Sequence, residues 1–269
     1  MTNFRRAEHG PFATTLSMDH ASASLVWSIA VKCMTPREPL HVRCPPDPGL
    51  AHPISPLKPQ EIVLWLARVA PSNHVAASEP DALSVDQAAE VLDADESDRF
   101  SRFLHIEDRM SFLAAHAGTR LLLARLVNKP AAALRFEPSA HGKPTLVAGP
   151  ADLDFSLSHA RGAVAVAAAC MPVGVDVESL REITEMDSIS EIALAPEERK
   201  VLWNTAAAMR SRLFLRYWTL KEALLKAAGL GFTIPPNMVI IDAGPSPAVL
   251  SVPDALGPVE QWRLIAPAV

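Results

Sequence analysis

Three carboxylates and two lysines pose the first question about this chain. The stretch VGVDVE, residues 173 to 178, alternates as a half-buried strand does. Val173, Val175 and Val177 point to one face, and Gly174, Asp176 and Glu178 to the other. On a strand, Asp176 and Glu178 stand about 7 Å apart at their Cα atoms, with the room left by Gly174 beside them. Neighbouring carboxylates repel unless a positive charge lies between them. A hard divalent cation such as Mg²⁺, which prefers oxygen ligands and keeps several waters, suits such a pair. The exposed edge of an ordinary sheet carries the same alternation, so the motif alone leaves both readings open.

The stretch RYWTLKEALLKAAGLG, from Arg216 to Gly231, narrows the choice. Its composition predicts a helix, on which Leu215, Trp218, Glu222, Leu225 and Gly229 share one stripe. A glutamate inside an apolar stripe is costly to bury unless it is paired or bound to a metal. Packed over VGVDVE, Glu222 would complete a three-carboxylate site with Lys221 beside it and Lys226 one turn on. An i,i+4 pair with Lys226 is the plainer account, worth a few tenths of a kcal/mol. That pair does not explain why Trp218 and Leu225 flank the carboxylate.

Two further stretches suit an anion. In FSLSHA, Ser158 and His159 close a predicted strand before the Arg161-Gly162 turn. Adjacent strand residues point apart and no third orienting group is evident, which argues against nucleophilic catalysis by this pair. A hydroxyl and an imidazole at a strand end suit a phosphate; a turn-stabilising serine and a part-buried histidine fit equally well. In HGKP, Lys143 lies between Gly142 and Pro144, a rigid setting for a fixed positive charge or for an ordinary solvated lysine.

The elements that must position these groups come in two sets. EIVLWLARV reads as a buried strand, followed by helical text over LSVDQAAEVL, with Ser84 as N-cap, then ADESDRFSRFL and EDRMSFLAAHAGTRLLLARLV. Short strands follow in LRFEP, KPTLV and LDFSLSH, and residues 153 to 178 read as a three-stranded meander. Helical text then runs from Ile183 to Ala228, and three strands follow in MVIID, AVLSV and QWRLI. Each half reads as helices packed on a small antiparallel sheet, an α+β class, with residues 60–160 and 161–269 as the halves. A cleft between two such halves is a common place for a ligand.

The first 59 residues hold nine of the 24 prolines and no sustained period, and are read as a poorly ordered extension without chemistry. Its one apolar run, ASLVWSIAVKCM, has no clean cleavage site for a signal peptide and is too short to span a bilayer. With 269 residues, about half of them apolar, the chain can bury a sizeable core. A net charge of −5 lacks the basic excess of a nucleic-acid binder. Cys33, Cys44 and Cys170 are too few and scattered for a disulfide framework, which suggests the reducing cytoplasm.

Taken in order, HGKP, FSLSHA, GVDVE and WTLKEALLKA resemble the 4′-phosphopantetheinyl transferase superfamily, in its double-length, Sfp-type form. The resemblance covers about residues 61 to 269. It implies two similar halves related by a pseudo-two-fold axis, within one monomeric chain; the shorter holo-acyl-carrier-protein synthases are trimers of one half. It also implies transfer of the 4′-phosphopantetheine arm of coenzyme A to a serine of an apo acyl or peptidyl carrier protein, releasing adenosine 3′,5′-bisphosphate. Asp176, Glu178 and Glu222 then match the Mg²⁺ ligands, with Glu222 and Lys226 at the reacting centre. Lys221 and Lys143 match contacts to the coenzyme A phosphates, and Ser158 and His159 match the pair on the 3′-phosphate. HIEDRMSFLAAHAGTR resembles the family helix whose basic residue after an aspartate meets the nucleotide phosphates, here Arg109; Met110 and Ser111 stand where many relatives carry arginines. Phosphate grip then rests on Arg109, or includes Arg99 from the preceding helix.

Two other readings compete: an idle homologue that binds carrier proteins or coenzyme A as an adaptor, and an unrelated Mg²⁺-dependent phosphohydrolase. The second leaves Ser158, His159 and Lys143 unexplained. For carrier docking, the acidic stretch REITEMDSISEIALAPEERK predicts apolar contacts through Ile189, Ile192 and Leu194 rather than charge.

Overall fold

The computed structural model describes residues 25–33, 39–44, 55–69, 74–75 and 83–267. The first set of elements is β1 (Leu25–Lys32), β2 (His41–Arg43), β3 (Glu61–Arg68), β4 (His74–Val75), β5 (Leu83–Ser84), α1 (Val85–Ala89), α2 (Ala94–Arg102) and α3 (Ile106–Val127). The hairpin β6 (Phe136–Pro138) and β7 (Pro144–Leu146) precedes β8 (Asp154–Ala160), β9 (Ala163–Ala169) and β10 (Val173–Ser179). The last set is α4 (Met186–Ala193), α5 (Pro196–Asn204), α6 (Ala207–Ala228), β11 (Ile240–Asp242), β12 (Ala248–Ser251) and β13 (Trp262–Ile265).

Two sheets carry the architecture, one in the order β2-β3-β9-β8 and the other in the order β10-β1-β13. Their inner faces meet in an apolar layer. Ile62 and Leu64 of β3 and the alternate alanines of β9 pack against Trp27, Ile29 and Val31 of β1 and the three valines of β10. The long helix α3 covers the outer face of the first sheet, and α6 covers that of the second. The result is helix, sheet, sheet, helix, the α+β class with two similar halves that the alternating patterns predict.

The reading of residues 1–59 as an extension without a packed element fails over β1. That strand is the middle one of its sheet, antiparallel to both β10 and β13. Trp27, Ile29, Ala30 and Val31 are wholly buried. A strand covered on both faces needs a continuous apolar run and not an alternating one, and LVWSIAVK is such a run. The prolines of the segment flank it without interrupting it. Residues 1–24, 34–38 and 45–54 lie outside the described part.

The expected meander over residues 153–178 also divides. β8 and β9 pair as a hairpin, while β10 crosses to the other sheet and takes β1 as its partner. Because β9 pairs with β3 and β8, the halves part at the Met171-Pro172 turn and not at residue 160. The edges of β8 and β10 still adjoin, joined by side chains. The backbone N–H groups of Val173, Val175 and Val177 donate to Asp154 Oδ2 at 2.8 Å, Ser156 Oγ at 3.1 Å and Ser158 Oγ at 3.4 Å. Three alternate side chains of one strand thus satisfy alternate donors of the next, which would otherwise be buried without partners.

Local chemistry fixes the helix ends near the site. A capping box of Asp93 and Glu96 starts α2. Gly229, in the left-handed region at φ 66°, closes α6 with its N–H on the carbonyls of Leu225 and Lys226. Gly174 decides how close α6 lies to its sheet. A Cβ there would stand 1.9 Å from the carbonyl oxygen of Ala223 and 2.4 Å from the amide nitrogen of Ala227. The room expected beside the β10 carboxylates is therefore filled by the backbone of α6.

Candidate active site

The close approach of α6 brings Lys226 onto β10. Its Nζ lies 2.6 Å from Asp176 Oδ1 and 3.1 Å from Ser158 Oγ. Ser158 in turn donates to the same Asp176 oxygen at 2.7 Å. Asp176 and Ser158 are both buried. Ser28 of β1, directly across from Asp176 in the register, bonds Thr219 of α6 at 2.9 Å and ties the helix to the sheet beneath the site.

Two carboxylate oxygens stand apart from this network. Asp176 Oδ2 and Glu222 Oε1 are buried and have no hydrogen-bond partner among the described residues. Burial, then the charges of Asp176 and Glu178, raise the Glu222 pKa above the usual carboxylate range against the opposing pull of Lys226. Glu178 does not join the pair: its carboxylate is turned to Arg181, 2.6 Å away and exposed. Among the described residues no three His, Cys, Asp or Glu side chains converge as a metal-holding group. The site brings together Asp176, Glu222, Lys226 and Ser158, and leaves Glu178 at the rim.

A pocket of about 350 Å³ opens between the halves. His141, Lys143, Phe155 and Ser156 line it from the first half, and Glu222, Leu225, Lys226 and Gly229 from α6. Lys143 is held there by an ion pair with Asp154 and by the carbonyl of Val173 at 3.0 Å. Asp154 escaped the sequence reading, although Asp154, Ser156 and Ser158 share one strand face and their alternation marks a polar row.

The remaining candidates are distributed differently. His159 stays exposed to one side of Phe112, edge-on at 6.3 Å, while His116 stacks on the same ring at 4.0 Å and Arg99 lies over it at 5.2 Å. Desolvation by the surrounding protein, then the charges of His116, Lys226 and Arg99, hold the His159 pKa down at about 4 despite an opposing pull from Asp108. Arg109 is half-buried over Phe100 at 4.4 Å, with its Nε unpartnered among the described residues. Arg99 gives this corner beside Ser158 and a neutral His159 its cationic charge, and Arg109 lies one turn from Phe112 on α3.

Lys221 is not part of the site, which corrects its reading as a phosphate contact. It is wholly buried and donates to Glu198 and to the carbonyls of Ala193 and Pro236, each of these at 3.0 Å. Glu198 also accepts from the N–H groups of Ala195 and Ile241, both at 2.8 Å. Adjacent helix positions lie about 100° apart, so Lys221 is carried into the core while Glu222 faces the pocket. The expected docking residues divide too: Ile192 is 70% exposed, Ile189 packs against the core, and Leu194 is buried.

Comparison with known proteins matches both halves. Residues 172–263 match the model of the 4′-phosphopantetheinyl transferase superfamily, and residues 77–171 match that of the 4′-phosphopantetheinyl transferase N-terminal region. The 4′-phosphopantetheinyl transferase HetI of Nostoc sp. is 30% identical over 194 residues, 71% of this chain and 76% of HetI. The chain belongs to the 4′-phosphopantetheinyl transferase superfamily. The gsp transferase of Aneurinibacillus migulanus is 30% identical over 156 residues, covering 56% of this chain and 62% of gsp. The Sfp transferase of Bacillus subtilis is 25% identical over 144 residues, covering 54% of this chain and 63% of Sfp. The two family models meet between residues 171 and 172, where the sheets part. Among the described residues no helix of this transferase is long and apolar enough to cross a membrane.

Proposed function

We propose that this transferase moves the 4′-phosphopantetheine arm of coenzyme A to a serine of an apo carrier protein, in the pocket between the halves, and releases adenosine 3′,5′-bisphosphate. The observation that carries this reading is the pair of buried, unpartnered oxygens on Asp176 and Glu222. Oxygen donors without protons or partners fit a hard divalent cation. Asp176 and Glu222, joined by Glu178 on leaving Arg181, would hold Mg²⁺. When bound, the ion supplies positive charge to the pyrophosphate of coenzyme A.

The protein's own groups do the rest. The serine oxygen bonds to the phosphorus next to the pantetheine, and the bond to the bridging pyrophosphate oxygen breaks, leaving the electron pair on adenosine 3′,5′-bisphosphate. Lys226 offsets charge on the phosphates, since phosphoryl transfer depends mostly on positioning and charge stabilisation. Glu222, which lines the pocket, is the candidate to take the serine proton, directly or through a water. Arg99 and Arg109 would make the cationic corner for the 3′-phosphate end, with Ser158 and His159 beside it and Lys143 fixed at the pocket wall. One chain supplies both sides of the pocket, so a monomer is sufficient.

The test is to mix protein, coenzyme A, Mg²⁺ and an apo carrier and to weigh the carrier. A mass gain of one phosphopantetheine arm is expected. Asp176→Ala and Glu222→Gln should fold normally and lose transfer by several orders of magnitude. Binding without a mass gain would favour an adaptor, free hydrolysis products a phosphohydrolase, and near-normal turnover in either variant would remove the metal assignment.

A further inference from the structure

We infer that Glu96 is a positioning residue for the cationic corner: it holds α2 on α3, so that Arg99 keeps its place for the 3′-phosphate end of coenzyme A. Little else holds that helix. None of the nine residues of α2 is buried, and Phe100 alone among them packs partly against the core of the first half. Its contacts with α3 form a ladder of side-chain pairs. Arg109 lies over the Phe100 ring at 4.4 Å, Arg99 lies over the Phe112 ring at 5.2 Å, and Glu96 bonds His116 Nδ1 at 2.8 Å. Phe112 and His116 are one turn apart on α3 and stack at 4.0 Å. The Glu96 rung reaches deepest. Its Oε2 accepts from Nε of the wholly buried Arg120 at 2.5 Å and from the N–H of Asp93 at 3.0 Å. Asp93 pairs with the same guanidinium and caps the helix through the N–H of Glu96 at 2.9 Å. From Arg120 the network runs on to the carbonyls of Leu134 at 3.0 Å and Ala131 at 3.3 Å, ahead of the hairpin that brings Lys143 to the pocket.

A carboxylate suits this place because each of its partners brings a proton. Burial raises the Glu96 pKa, but the bonds from His116 and the Asp93 N–H and the charges of His116 and Arg120 outweigh it and bring the group down to about 2. At neutral pH Glu96 is therefore ionised, and its bond to Arg120 is charge-assisted. Glutamine has the same shape without the charge, and it turns an N–H toward one of the donors that the second oxygen had met. It also leaves the buried Arg120 short of negative charge. Glu96 and Arg99 lie three residues apart on one face of α2, so loosening the first displaces the second. The inference rests on Arg99 meeting the 3′-phosphate, and its test separates the two claims.

Calorimetry on the full chain with Mg²⁺ compares coenzyme A with 3′-dephospho-coenzyme A, which lacks only that phosphate. Glu96→Gln should weaken coenzyme A binding about ten-fold, as for the loss of one charge-assisted contact, and 3′-dephospho-coenzyme A binding by less than about two-fold. Arg99→Ala should show the same selective loss. Adding Glu96→Gln to Arg99→Ala should take nothing further from the preference for coenzyme A, since a residue that acts through another is not additive with it. If Glu96→Gln does not fold, His116→Phe keeps the ring on Phe112, removes one bond to Glu96 and should lower the preference in the same direction. Equal losses for the two ligands would overturn the inference, because a general loosening of the fold does not sense one phosphate. An unchanged preference in the Glu96 or His116 variant would overturn it too, as would a further fall on the Arg99→Ala background. Arg99→Ala is the separate arm: if it keeps the full preference, the phosphate reading itself fails and the role of Glu96 falls with it.

Discussion

The two halves lay a 22-residue helix on a sheet in the same way, yet only the second of these helices lines the pocket between them. Both helices end in a left-handed residue, Asn128 after α3 and Gly229 after α6. Both press closely on their strands, with the small residue on opposite partners. In the first half Gly118 on the helix meets the indole of Trp65; in the second Gly174 on the strand meets helix backbone. A side chain fills the first gap, while the second lets α6 drop until Lys226 reaches Asp176. The buried charges differ accordingly. Arg120 on α3 is wholly buried and fully engaged with Asp93, Glu96 and the carbonyls of Ala131 and Leu134. Lys221 and Glu198 are equally satisfied. Among the described residues, only Asp176 and Glu222 have buried carboxylate oxygens left without partners. Buried polar groups with all partners in place hold structure together, whereas two unpartnered carboxylate oxygens beside one lysine leave room for a ligand to complete the network.

The largest test of this comparison removes β1, the strand that the second half borrows from the N-terminus. Trp27, Ile29 and Val31 are wholly buried, and burying each such side chain stabilises by about 1.5–3 kcal/mol. Their sum rivals the whole stability of a typical domain, about 5–15 kcal/mol. A chain starting at Pro59 should therefore lose the second half and show no cooperative thermal transition by circular dichroism. A soluble product with a sharp melt and normal transfer would show that β1 is expendable and that α6 is held by the first half alone.

Exchanging the glycines sharpens the contrast more finely. Gly174→Ala puts a methyl group against backbone atoms that cannot rotate aside, so α6 must lift. A shift of that kind near 1 Å should cost transfer about 100-fold, beyond a stability loss of about 1–3 kcal/mol. Gly118→Ala clashes with the buried Trp65 ring, 2.3 Å from the new methyl, and should destabilise by a similar amount. Its kcat/KM should stay within about three-fold of the parent at temperatures where both are folded, a margin of under about 1 kcal/mol in the barrier. Equal kinetic losses in the two variants would mean that the close approach of α6 does not set the site.

What the sequence disclosed follows from the range of each signal. Glu222 was legible because an apolar stripe on one helix is a local pattern, and the alternation in β10 is local as well. β1 was hidden because its meaning is a pairing: Val26 lies across from Glu178, far along the chain, and no nearby residue records it. Lys221 looked like a ligand contact through its neighbour Glu222, and only the packing of Glu198 shows which side of α6 it occupies. Ser158 stands with Asp176 and Lys226, contacts across two strands and a helix that no local pattern records.

The smallest expected effect lies at the edge of the comparison, where the first half carries His159 next to Ser158. Its pKa of about 4 lies below the ordinary 6.5, so the unfolded chain binds this proton first as pH falls. Its contribution to stability is complete above about pH 6.5 and is lost as pH drops toward 4, in a modest step because the residue is exposed. The groups that face it are His116 and Arg99 from the first half and Lys226 from α6, with Asp108 opposing. An anion seated among those cations reverses their effect on the imidazole. Coenzyme A should therefore raise the His159 pKa and bind with proton uptake, so that its affinity increases as pH is lowered from 7 toward 5. An NMR titration of the ring, with and without coenzyme A and with 3′-dephospho-coenzyme A as the comparison, reads this directly. The full upward shift is expected only with the 3′-phosphate present. An identical titration curve with both compounds would place that phosphate away from His159, and the cationic corner around Phe112 would then belong to the first half's structure and not to the site.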